Sequence, residues 1–133
     1  MSVEAMTEER AEQLFDKWVD ILQLHEWDIR FHWKCDPKRM ELVDNAGCTS
    51  YNWVCRQAVI QIADPDLYEM DMKGFAFDFE QILVHELLHL KFSMLDDTKD
   101  EMQNRHVHIL VDGIARSLVR ASREGNAEKA VRL

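Results

Sequence analysis

The sequence predicts an α+β domain: a first helix, a small mostly antiparallel sheet, and two packed helices toward the C-terminus. Three observations predict it. Apolar residues recur at helical spacing from Thr7 to about His25. The stretch "WDIRFHWK", residues 27–34, alternates apolar and polar residues at period two. Beyond residue 78, two segments return to helical spacing behind recognisable start signals. At 133 residues, 47% hydrophobic and 31% charged, the chain can bury one core, so a single domain over 1–133 is expected, with 119–133 as a frayed tail or a short extra helix.

The first helix rests on Leu14, Phe15, Trp18, Ile21 and Leu22, with Glu8, Glu9, Glu12, Asp16 and Asp20 on its other positions. In the strand that follows, Trp27, Ile29, Phe31 and Trp33 share one face. Pro37, Asn45 and Gly47 mark residues 35–47 as a loop, with a short strand expected around 40–43. The stretches "CTSYNWVC" and "QAVIQIA" read as a hairpin joined near Cys55 and Arg56. Trp27, Trp33 and Trp53 are expected to pack in the core or on a sheet face. Asp64-Pro65 ends the second hairpin strand and opens a surface connection to Gly74.

Asp78 then offers an N-cap, Gln81 stands three residues on, and Phe77 and Ile82 have staple spacing, which predicts a helix from about Phe79 to Ser93. Thr98 and Glu101 form an S/T-x-x-E box before the last helix, whose apolar residues are Val107, Leu110, Val111, Ile114 and Leu118. Gly113 in that helix is expected to permit close approach to the preceding one.

Sixteen basic residues scattered among twenty-five acidic ones, a formal charge of −9, argue against a nucleic-acid partner, because phosphate contacts need clustered Lys and Arg. No apolar run approaches the roughly 20 residues of a membrane span, and the acidic start lacks the form of a signal peptide. A cytoplasmic protein with no membrane partner is expected. Cys35, Cys48 and Cys55 match no common zinc ribbon and are expected as free thiols.

The chemistry concentrates in "ILVHELLHLKF", residues 82–92. His85 and His89 are four apart, so on a helix both imidazoles reach one tetrahedral ion. Glu86 lies about 100° round the helix from His85, placed to take a proton from water without ligating the ion. Such a site needs a third protein ligand and an open position. If the two helices turn near residue 96, an antiparallel return brings 104–108 level with the motif, where His106 and His108 stand on opposite flanks of the apolar face. Glu101 lies nearer the turn. Spacing alone leaves these three open, with His108 favoured. Asp112, one turn beyond His108, is a candidate to orient its imidazole. Tyr51, Tyr68 and His32 are candidates to stabilise an oxyanion.

The "VHELLHLKF" stretch, preceded by the strand "QAVIQIA" and followed by a second helix, resembles the small gluzincin-like metallopeptidase domains found among phage and bacterial proteins. In those domains the second helix carries E-x-x-V-x-x-L-x-x-x-L, its Glu being the third zinc ligand. Laid on this chain, the pattern falls on His108, Val111, Ile114 and Leu118. The resemblance implies a zincin-like fold and a zinc set of His85, His89 and His108, with His in place of the family's Glu. Zinc accepts three histidines, and the neutral third ligand leaves the site more positive.

The expected function is zinc-dependent hydrolysis of peptide bonds in a peptide or protein substrate, with Glu86 activating the water. An extended substrate is expected to add to "QAVIQIA" or its hairpin partner. The alternative is a non-catalytic zinc-bound module that recognises a partner protein.

Overall fold

The computed structural model describes residues 6–40, 45–68, 77–93 and 101–131, with side chains up to residue 125. Helix α1 (Glu8–Ile21) is followed by strands β1 (Asp28–Cys35), β2 (Gly47–Asn52) and β3 (Gln57–Ala63), then helices α2 (Phe79–Lys91) and α3 (Glu101–Val131). The α+β class holds. No described helix is long and apolar enough to cross a membrane.

Thr7 caps α1 by accepting from the Arg10 amide. The helix stops at Ile21, short of His25, because Gln23 turns left-handed at φ 55°. Its amide bonds to Asp20 O and the Leu24 amide to Val19 O, the paired closure of a Schellman motif built without glycine.

The three strands lie in the order β1-β3-β2. β2 and β3 form the expected antiparallel hairpin, Gly47 opposite Ile62 and Thr49 opposite Ile60. β1 pairs with β3 in parallel, so the sheet is mixed and not mostly antiparallel. The hairpin loop is Trp53–Arg56: the Asn52 side chain accepts from the Val54 and Cys55 amides, and Arg56 takes φ 57°. Trp53 therefore sits 42% exposed in the loop and does not pack, unlike buried Trp27 and half-buried Trp33.

Period-two alternation turns Ile29, Phe31 and Trp33 toward the helices and leaves Asp28, Arg30, His32 and Lys34 exposed. Phe31 stacks on Phe15 of α1 at 4.8 Å, and Trp33 meets Phe79 of α2 edge-on at 4.6 Å. α1 and α2 thus cover the same face of the sheet. α3 packs on α2 through Val107, Val111, Ala115 and Val119, all buried. Gly113 does not face α2: a β-carbon there would meet nothing within 4 Å.

A polar node ties the three helices. Buried Glu80 accepts from Trp18 Nε1 at 2.7 Å and from Lys17 Nζ at 3.2 Å, while Lys17 also donates to Ser122 at 2.7 Å. Arg123 grips Asp78 with two bonds of 2.9 Å and lies 3.3 Å from Glu80. This anchors α3 past Leu118, and the helix is continuous to Val131. The short strand expected at 40–43 falls largely outside the described residues, as do the connection from 69, the turn near 96 and the Thr98 cap.

Burial pushes the Asp78 carboxyl up, but the hydrogen bonds from Arg123 and the Gln81 amide, with the Arg123 charge, outweigh it and hold it below the usual range. A carboxyl depressed in the folded state contributes stability above its unfolded value, and that contribution is lost as pH falls through the lower, folded value. Arg123→Ala is expected to destabilise by about 1 kcal/mol at pH 7, since the pair is partly exposed. The difference from wild type should shrink below about pH 4 in denaturant titrations; a deficit unchanged down to pH 2 would contradict this.

Candidate metal centre

The motif helix α2 is buried nearly all round. Leu83, Val84, Leu87, Leu88 and Leu90 are each at most 4% exposed, which is the pattern of a helix enclosed between other layers. Asp78 caps it, accepting from the Gln81 amide at 3.2 Å. Its polar stripe, Gln81, His85, Glu86 and His89, opens on a cavity of about 540 Å³. β2 supplies another wall through Gly47, Thr49 and Tyr51, and α3 a third through Asn104, His108 and Asp112.

His85, His89 and His108 converge there. Ring centroids are 5.0 Å apart for His85 and His89, 4.8 Å for His89 and His108, and 6.4 Å for His85 and His108. One nitrogen from each lies within 4.8 Å of the others, close enough to hold a metal ion. Metal–nitrogen bonds of 2.0–2.1 Å in a tetrahedron set the nitrogens about 3.3 Å apart. The widest gap therefore closes by at most about 1.5 Å, within reach of modest imidazole rotations. Three neutral nitrogens with open space in front suit an ion that keeps one position free.

Of the residues left open by spacing, the structure brings His108 into this cluster. His108 is exposed, as are His106 and Glu101, and those two lie outside the cluster. The two flanks of α3 diverge, and only the His108 flank turns toward the cavity.

Asp112 serves a different histidine from the one expected. Its Oδ1 lies 3.5 Å from His85 Nδ1, across the helix interface, and its other oxygen is bonded by Arg116. A carboxylate on the Nδ1 side of His85 is placed to orient the ring.

Glu86 is 8% exposed and lines the cavity beside the histidines. The Thr49 hydroxyl stands 2.7 Å from Glu86 Oε1 and 3.1 Å from the Glu86 carbonyl, with both as acceptors. Behind the carboxylate runs Gly47, where a β-carbon would lie 2.8 Å from Oε2. Neither residue was singled out from sequence. The one signal is a glycine where a strand begins, a mark of close approach that Pro37 and Asn45 before it disguise as loop.

Tyr51 reaches the cavity wall, its hydroxyl donating to Ser93 O at 3.3 Å. Tyr68 packs instead on Phe77 and near Met40, Cys48 and Ala63, and His32 is exposed on β1. Neither lines the cavity. No disulfide joins the three cysteines, and burial pushes the Cys35 thiol up, opposed by a backbone bond from Ile62.

No protein-family profile, no curated protein and no solved structure matches this chain.

Proposed function

We propose that the chain is a zinc-dependent hydrolase of peptide bonds. The observation that carries the reading is the placement of Glu86: a buried carboxylate that opens into the same cavity as three convergent histidines. A purely structural ion needs no base beside it. His85, His89 and His108 would hold the zinc, with Asp112 orienting His85. Bound zinc would polarise a substrate carbonyl and make water more acidic.

Glu86 then takes a proton from water and passes it to the leaving amine, the two halves of general base and general acid catalysis. Thr49 keeps the carboxylate turned into the cavity while it does so. β3 is the central strand and is closed to a further partner, whereas β2 is an edge among the described residues. An extended peptide adding to β2 would run along the wall that carries Gly47, Thr49 and Tyr51, in front of the histidines.

A second reading has its own observation. The Thr49–Glu86 bond links β2 to α2, so Glu86 also has a structural role open to a zinc-bound, non-catalytic interaction module. The two readings part on one experiment. Zinc-loaded protein is incubated with a complex peptide mixture and new termini are counted by mass spectrometry, beside Glu86→Gln. New termini in wild type and none in the variant support the hydrolase; none in either support the module.

A further inference from the structure

We infer that the edge strand β2 controls the reaction through Glu86, with Thr49 and Gly47 as positioning residues that fix where its carboxylate lies. The consequence for rate rests on the hydrolase reading, while the placement stands on geometry alone.

A glutamate side chain has three rotatable bonds, and a carboxylate at 8% exposure needs a donor to offset lost hydration. Thr49 supplies one on the Oε1 side, through a hydroxyl contact of 2.7 Å. The other side is set by absence of bulk. A β-carbon at residue 47 would come 2.8 Å from Glu86 Oε2, 2.9 Å from Glu86 Cγ and 2.9 Å from Ile82 Cγ2. Two of the three atoms belong to Glu86, whose side chain can turn, and the third to the branched side chain of Ile82, which yields less. The added carbon is therefore accommodated by swinging Glu86 away from the position it now holds, with a small shift of β2 off Ile82.

Thr49 and Gly47 are two apart on one strand and so project to one face. Pairing with Ile60 and Ile62 of β3, both fully buried, sets that register. A one-residue slip would present Cys48 and Ser50 to Glu86 instead. The strand that walls the cavity thus also sets the base that acts in it.

The test uses full-length, zinc-loaded protein as wild type, Thr49→Val, Thr49→Ser and Gly47→Ala. Crystal structures read the Glu86 carboxylate position, calorimetry reads zinc affinity, and peptide cleavage reads kcat and KM. Valine matches threonine in shape but cannot donate, so it is expected to displace the carboxylate by an ångström or so and to lower kcat about 100-fold, the loss a displacement of that size can produce. KM and zinc affinity stay within a few-fold. Thr49→Ser restores both the position and the rate lost in Thr49→Val. Gly47→Ala reproduces the valine defect from the opposite side. A carboxylate that stays in place in both Thr49→Val and Gly47→Ala overturns the inference. Wild type without peptidase activity would defeat the hydrolase reading, and the crystallographic displacement would still decide the positioning.

Discussion

Glu86→Gln is expected to keep zinc and fold while lowering peptide hydrolysis by about 10²–10⁴-fold, the usual contribution of a positioned general base. The amide has nearly the shape of the carboxylate and still presents an oxygen to the Thr49 hydroxyl, so the α2–β2 contact persists. Proton acceptance is what it removes. A neutral side chain also withdraws one negative charge from beside the ion, which weakens zinc binding far less than loss of a ligand would. Zinc content, thermal melting and single-turnover cleavage on the same preparation separate these effects. Full activity in the variant would remove Glu86 from the chemistry.

His108→Ala should weaken zinc binding by more than about 100-fold, since it removes a ligand where loss of an orienting neighbour typically weakens binding 10–100-fold. Asp112→Asn is such a neighbour change and falls within that lower span, because the carboxylate stands beside His85 Nδ1 and orients the ring. His106→Ala should leave affinity unchanged, its side chain being exposed and outside the cluster. Competition with a chromophoric chelator gives the three values. An affinity that falls with His106 and not with His108 would contradict the arrangement of α3.

The parts of the site carried by one element could be read from sequence, and those that depend on two elements could not. His85, Glu86 and His89 lie on α2, where spacing alone sets their relation. His108 needed the register of α3 against α2, and the periodicity of α3 placed His106 and His108 on opposite flanks without saying which flank faces inward. Asp112 follows the same rule: i,i+4 spacing suggested His108, but the contact made is with His85 across the interface. Gly47 and Thr49 act through packing of β2 on α2, for which a strand's own alternation carries no signal.

The fold shows the same division. Period two identified β1, and the hairpin pattern β2 and β3, but neither carries the parallel pairing of β1 with β3, which joins segments distant in sequence. Alternation ran on through Trp53, yet the Asn52 side chain captures two amides and ends the strand there. Gln23 closed α1 in a conformation normally signalled by glycine. The helical run of 119–131 depends on Arg123 reaching Asp78 and Glu80, residues over forty positions away.

The measurement that bears most directly on the three-histidine centre is the metal content of chelator-free protein by mass spectrometry, with His85→Ala beside it. One zinc per chain in wild type, lost in His85→Ala, is the predicted result. Wild-type protein that takes up no metal even when zinc is supplied would contradict it, leaving His85, His89 and His108 as neighbours in a cavity with no ion to share.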